Sequence, residues 1–284
     1  MASTLLQILD KTADFFKSRN IENPRLDAEY LLAHGLNCKR LDLYLRFDEV
    51  LSDEILNKLR TLVKRRSNKE PLQYILGEVD FYNVKLKVDK RVLIPRPETE
   101  YLVEKLVQHY KEKFPKRILD LGTGSGAIIL ALTKAFEGID FSSQAVDVSE
   151  EALKLAQENA LLNKLDGCIN FINSSWLGDV SGRFDLIVSN PPYLTKEEWE
   201  TAQEEVKDFE PISALVAESE GLSDLTSIIS EAIHYLLPDG MLVVETGINQ
   251  HEALMKLGKE VGYSSIESWK DLLGRDRFLV FIMS

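Results

Sequence analysis

From residue 3 to about residue 76 the apolar positions recur every three or four residues, the period of helices that bury one face. Leu5, Leu6, Ile8, Leu9, Phe15 and Phe16 form a first stripe behind a cap expected at Ser3. Pro24 opens a second helix carrying Leu26, Tyr30, Leu31 and Leu32, which ends near Gly35-Leu36-Asn37. A third covers about Arg40 to Arg46. Ser52-Asp53-Glu54 caps a fourth with Ile55, Leu56, Leu59, Leu62 and Val63 on its apolar side. That helix ends in Lys64-Arg65-Arg66 with Lys69 close by, a cation cluster expected to be a solvated helix terminus. Pro71 then starts a short turn reaching Gly77.

From Asp80 the period changes to two. Val84, Leu86 and Val88 alternate with Asn83, Lys85 and Lys87, and Val92-Leu93-Ile94 follows after Asp89-Lys90-Arg91, which predicts a hairpin. Pro95 to Glu100 leads into a helix running to about Lys113. Beyond Pro115, strand and helix patterns take turns. Strands are expected at 117–121, 141–148, 168–173, 184–189, 241–246, 264–268 and 277–283, with helices at 127–136, 150–162, 222–237 and 250–261. Such alternation means a mostly parallel sheet covered by helices. The chain thus divides into a helical segment 1–77, a hairpin linker 78–95 and an α/β domain 96–284.

Composition narrows the class. Of 284 residues, 44% are apolar and 28% charged, as in ordinary globular chains. No apolar run approaches the ~20 residues of a membrane span. Asp10, Lys11, Asp14 and Lys17 interrupt the first stripe, so no signal peptide is expected. The two cysteines, Cys38 and Cys168, lie far apart without CxxC spacing, so neither a disulfide framework nor a zinc site is expected, and a reducing cytoplasm is the expected home. Net charge is −12 and unevenly spread: residues 1–90 carry 16 Lys+Arg against 14 Asp+Glu, the remainder 18 against 32. A −14 segment is a poor general binder of phosphates, and suits a basic protein partner.

The candidate chemistry lies in two loops. Phe184 to Ser189 reads as a buried strand, and it must stop at Asn190-Pro191-Pro192-Tyr193 because neither proline donates to a ladder. Asn190 is thereby presented at the carboxyl end of a central strand, where open α/β sheets bind ligands. Its side-chain oxygen and the Pro191 carbonyl are two acceptors able to grip an –NH2 group. Upstream, Asp120-Leu121-Gly122-Thr123-Gly124-Ser125-Gly126 joins strand to helix. The G-x-G-x-G spacing departs from the pyrophosphate fingerprint, and no P-loop Lys follows. Asp147, at the next strand end, can accept from both ribose hydroxyls of an adenosine. Loop and acid indicate a nucleoside cofactor without separating a dinucleotide from S-adenosylmethionine.

Together these segments resemble class I S-adenosylmethionine-dependent methyltransferases that act on planar amide or amine nitrogens. Further runs narrow the resemblance: Pro71-Leu72-Gln73-Tyr74-Ile75-Leu76-Gly77, Leu93-Ile94-Pro95-Arg96-Pro97-Glu98-Thr99-Glu100, Phe209-Glu210-Pro211, and Asp271-Leu272-Leu273-Gly274-Arg275-Asp276-Arg277. The chain is similar, over nearly its whole length, to the HemK/PrmC family of protein-(glutamine-N5) methyltransferases, which modify the Gly-Gly-Gln loop of class I peptide chain release factors. The resemblance implies a Rossmann-like, mostly parallel seven-stranded sheet with a small all-α N-terminal domain and a connecting β-hairpin. It implies S-adenosyl-L-methionine as methyl donor, S-adenosyl-L-homocysteine as product, no metal, and a cytoplasmic monomer that binds neither membrane nor nucleic acid directly.

Asp120, Gly122, Thr123, Gly124, Ser125, Gly126, Asp147, Trp176 and Asn190 are the expected cofactor contacts. Asn190, Pro191, Pro192, Tyr193 and Arg96 are expected against the substrate, with Asn190, Pro191 and Tyr193 catalytic. As bare sequence, Arg96 and Glu98 read as a helix entry with an acid in its first turn. One departure is visible: Ser174-Ser175-Trp176 stands where the family often has Ser-Asp-Trp, so the adenine contact falls to Ser175 or to backbone. The helical domain is expected to dock the substrate. Rival readings are a ribosomal-protein glutamine methyltransferase, an adenine-N6 methyltransferase of nucleic acid, a nicotinamide oxidoreductase that leaves Asn190 to Tyr193 unexplained, and a non-catalytic binding module.

Overall fold

The structure is a computed structural model and describes residues 3–284. It separates into two compact units, one holding the chain up to Gly77 together with Gln203–Phe209, the other Glu78–Ala202 and Glu210–Ser284.

In the first unit, α1 (Leu5–Ser18), α2 (Pro24–Gly35), α3 (Asp53–Ser67) and the short α4 (Leu72–Leu76) enclose Leu5, Leu9, Phe16, Leu31, Leu32, Leu59 and Ile75. The segment Arg40–Leu45 is 3-10 rather than α. The cap of α1 is Thr4, one residue beyond the expected Ser3. Only Thr4 has a glutamine three residues on, and the Thr4 and Gln7 side chains each satisfy the other's backbone N–H. The basic cluster is not a solvated terminus. Arg66 is buried, its guanidinium bonded to Asp27 Oδ2 at 2.6 Å and to Glu205 Oε1 at 2.7 Å, while Arg65 is paired with Glu70.

The second unit opens with β1 (Glu78–Phe81) and β2 (Val84–Lys87), an antiparallel hairpin turning at Tyr82-Asn83. Sequence pattern placed the second strand at Val92-Leu93-Ile94 instead. The free edge of β2 is taken by two side-chain amides of the later helix Glu150–Leu162. Asn163, at its C-terminus, and Asn159 both donate to and accept from the Lys85 and Lys87 backbones at 2.7–3.1 Å. With that edge filled, Val92 packs on Ala152 and Leu155, and the Ile94 N–H donates to Glu210.

Next come α5 (Pro97–His109), β3 (Arg117–Leu121), α6 (Ala127–Ala135), β4 (Ser142–Asp147), α7 (Glu150–Leu162), β5 (Ile169–Asn173) and β6 (Phe184–Ser189). The expected extension of α5 to Lys113 is absent; Tyr110 caps it, with its hydroxyl donating to the Asp185 carbonyl. After β6 the chain makes three short helices that pattern alone did not reveal, α8 (Lys196–Glu200), α9 (Glu204–Phe209) and α10 (Glu218–Gly221). Then follow α11 (Ser223–Ala232), β7 (Leu236–Glu245), α12 (His251–Val261), β8 (Ser265–Lys270) and β9 (Asp276–Ile282). The helix expected to reach Leu237 therefore ends five residues early. Pro238 forces the residue before it toward extended backbone, so Leu236 already pairs with Phe184 of β6.

The seven strands lie in the order β5-β4-β3-β6-β7-β9-β8, all parallel except that β9 runs antiparallel to both neighbours. Alternate strand residues face opposite sides. Ile118, Leu186, Val188, Val243 and Val280 meet one core with α5 and α6, and Leu119, Leu121, Ile187, Val244 and Leu279 meet the other with α11. A mostly parallel sheet covered on both faces, as the resemblance implied, is the architecture observed.

Candidate active site

The strand order reverses between β3 and β6, and a crevice must open outside the carboxyl ends of strands at such a point. Register sets what faces it. Leu121 pairs with Ser189 and Ser189 with Val244, so the residues that follow, Gly122, Asn190 and Glu245, arrive at the same level of the sheet. The Ser189 hydroxyl donates to the Leu121 carbonyl at 2.7 Å and locks β3 to β6 there. Between the two loops lies a cavity of about 410 Å³, within the usual size of a small-molecule site.

The glycine loop is shaped by three left-handed glycines. At Gly126, φ is +81°, and a Cβ would lie 2.9 Å from Leu130 Cδ1 and 3.3 Å from Ala156 Cβ, so only glycine fits. Asp147 accepts the Gly124 N–H on Oδ2 at 2.8 Å and the Ser149 N–H on Oδ1 at 2.9 Å, holding the carboxylate at the cavity wall. Burial raises its pKa, opposed by those backbone donors. Asp120 is wholly buried behind the loop. Thr123 donates to its Oδ2, its Oδ1 has no partner among the described residues, and burial pushes its carboxyl up to about 7.

At the other wall, the Asn190 Nδ2 donates to the Thr99 hydroxyl oxygen at 3.1 Å, and that hydroxyl donates to Glu245 Oε2 at 2.7 Å. Tyr193 donates to the other oxygen, Glu245 Oε1, at 3.1 Å. Burial raises the pKa of Glu245, and burial likewise holds the Tyr193 hydroxyl well above the usual range. Among the described residues nothing donates to Asn190 Oδ1 or to the Pro191 carbonyl. The loop is clamped further on. Gln250 donates to the carbonyls of Tyr193 (2.9 Å) and Gly221 (3.1 Å), and a Cβ at Gly221 would come within 2.3 Å of the Tyr193 oxygen.

Trp176, in left-handed conformation at φ +47°, packs across Gly122 and donates Nε1 to Asp224 Oδ1 at 3.1 Å. Ser175 and Asp224 line the same cavity, and burial raises the Asp224 pKa. Arg96 also lines it, but its guanidinium is held at 2.6 Å by Glu210, whose side chain is only 2% exposed.

Gly122, Thr123, Gly124, Ser125, Asp147, Trp176, Asn190, Pro192 and Arg96 of the sequence-derived set therefore share one cavity. Asp120, Gly126, Pro191 and Tyr193 stand just behind its wall. Thr99, Glu245, Gln250, Gly221 and Asp224 were not singled out from sequence. For Glu245 a signal existed, an acid closing an otherwise apolar strand beside the one that ends in Asn190.

The donor set fits S-adenosylmethionine. Asp147 keeps lone pairs for a ribose, Trp176 offers a ring face, and buried Asp120 has a carboxylate oxygen without a partner. The comparisons agree with this class. The PrmC N-terminal domain profile matches residues 7–77, and the methyltransferase small domain profile matches residues 98–209. A release factor glutamine methyltransferase of Fusobacterium nucleatum is 39% identical over 278 residues, covering 97% of this chain and 78% of that one. Its counterpart from Haemophilus influenzae is 40% identical over 276 residues, covering 93% and 94%. Among solved structures, the hMettl16 catalytic domain in complex with MAT2A 3′UTR hairpin 1 superposes with a TM-score of 0.56 at 18% identity, covering 82% of this chain and 81% of that one. A methyltransferase from Pyrococcus furiosus gives 0.52 at 19%, covering 80% and 98%. At those identities the structures establish the fold, and the relatives establish the family. The chain belongs to the release factor glutamine methyltransferase family.

Proposed function

We propose that the protein methylates the side-chain amide nitrogen of a glutamine in a class I peptide chain release factor, in the Gly-Gly-Gln loop, with S-adenosylmethionine as donor. The observation that carries this reading is the state of Asn190: its –NH2 is committed to Thr99, which leaves Oδ1 to accept beside the cavity.

An amide nitrogen is a weak nucleophile because its lone pair is delocalised into the carbonyl. Asn190 Oδ1 and the Pro191 carbonyl take its two hydrogens, turn the lone pair out of conjugation, and favour the positive charge that grows on nitrogen. The donor supplies an already activated methyl on a sulfonium. Asp147 would hold the ribose, Trp176 the adenine and the loop Gly122 to Gly126 the remainder, with Asp120 bracing that loop from behind through Thr123. Tyr193 walls the amide and excludes water; Pro192 and Arg96 complete the substrate side, with Arg96 acting while paired to Glu210. Positioning supplies most of the rate. The methylated nitrogen then loses its proton to solvent. The reaction takes place in the cytoplasm, and the helical unit docks the release factor.

Mass spectrometry of a purified release factor after incubation with this protein and donor reads the reaction. One added methyl on that glutamine, absent with Asn190→Ala, is the expected result. Methylation of a ribosomal protein or of nucleic acid in its place would overturn the substrate assignment. If deleting residues 1–77 leaves kcat/KM on the intact factor unchanged, docking by that unit is refuted.

A further inference from the structure

A side-chain amide has two faces of opposite polarity, and turning it by 180° exchanges its acceptor for a donor. An Asn190 turned the wrong way would point –NH2 at the –NH2 of the substrate. Nothing in Asn190 itself selects the useful orientation. Its neighbours do.

We propose that Thr99 and Glu245 are positioning residues that fix the Asn190 amide with Oδ1 toward substrate; this rests on the reading that Asn190 grips the reacting nitrogen. Thr99 sits in the first turn of α5, and Glu245 ends β7 at the level of Asn190. The single proton of Thr99 Oγ1 goes to Glu245 at 2.7 Å, so that oxygen can only accept from Asn190 at 3.1 Å. The reversed amide would set two acceptors against each other at that distance, in a place where Thr99 is 4% and Glu245 1% exposed. One carboxylate thus fixes both ends of the Asn190–Tyr193 loop, since Tyr193 donates to its second oxygen.

The device depends on the charge of Glu245. A protonated Glu245 can donate to Thr99, the Thr99 hydroxyl then turns to donate to Asn190, and the reversed amide becomes acceptable. The groups acting on this carboxyl are Thr99 of α5, Tyr193 of the loop, Arg277 of β9, which favours ionisation, and Glu98, which opposes it. Turnover should therefore show an acid limb belonging to Glu245.

The test measures kcat on the protein substrate at saturating S-adenosylmethionine, with donor affinity measured separately by calorimetry. Thr99→Val keeps the shape and loses the hydroxyl; kcat should fall about 10- to 100-fold with donor affinity unchanged. Thr99→Ser should restore most of that loss. Glu245→Gln should remove the acid limb of kcat. A Thr99→Val enzyme at full kcat, or equal losses in Val and Ser, overturns the proposal while Asn190→Ala stays inactive. An Asn190→Ala enzyme that turns over normally overturns the gripping reading instead. Should Thr99→Val fail to bind donor, the limb decides: unchanged in Glu245→Gln, it refutes the device.

Discussion

Replacing Asp120 by Asn should make the protein relatively more stable as pH rises. Asp120 is wholly buried, one of its oxygens lacks a partner, and its carboxyl sits at about 7 against an ordinary value of 3.8. Three units at about 1.4 kcal/mol each amount to roughly 4 kcal/mol of unfavourable ionisation. The sign follows from proton uptake. The folded state holds this proton more tightly than the unfolded chain, so the contribution is fully present below pH 4 and is lost as pH rises through 7. Roughly 2 to 3 kcal/mol of that loss falls between pH 5 and 8. Asparagine brings its own pH-independent cost of about 1–3 kcal/mol for an amide with an unmatched donor. The variant should therefore gain on the parent by roughly 2 to 3 kcal/mol between pH 5 and pH 8. Urea unfolding followed by tryptophan fluorescence is a suitable assay, because Trp176, Trp199 and Trp269 all lie in the α/β unit. A difference between variant and parent that stays constant from pH 5 to 8 would refute the reasoning, since Asp120 would then ionise as it does unfolded.

Other outcomes follow from the same geometry. Asp147→Asn should weaken donor binding by about 10- to 100-fold, read by calorimetry, because it removes an acceptor while disturbing the Gly124 and Ser149 bonds. Gly221→Ala places a methyl 2.3 Å from the Tyr193 carbonyl at a φ of +77°, so turnover should fall at least tenfold by the order of one displaced contact, with donor affinity little altered. Arg66→Ala strands Asp27 without its buried partner and should lower the stability of the helical unit by about 3–5 kcal/mol, seen as an earlier far-ultraviolet melting transition.

How much of this was written locally is clear from particular residues. Pro191 and Pro192 ended β6 wherever it packed, and the glycines at 122, 124 and 126 allowed a turn no other residues would make, so both loops were legible. The alternation of apolar strands and amphipathic helices dictated a covered, mostly parallel sheet. The hairpin was different. Val92-Leu93-Ile94 has strand chemistry, and it lost the edge of β2 to the amides of Asn159 and Asn163, more than seventy residues away in sequence and adjacent only after α7 packs. The end of α11 depended on Pro238 acting together with the pairing of Leu236 to Phe184.

The support of the site was of that second kind. Thr99, Glu245, Gln250 and Gly221 belong to four separate segments and carry no shared spacing. The register of β3, β6 and β7 brings Glu245 level with Asn190, and the packing of α5 delivers Thr99 between them. Sequence determined which groups end each strand, since backbone geometry and the absence of a proline N–H act within a few residues. Only the tertiary structure decided which way the Asn190 amide faces, because that depends on where a distant hydroxyl has already sent its single proton.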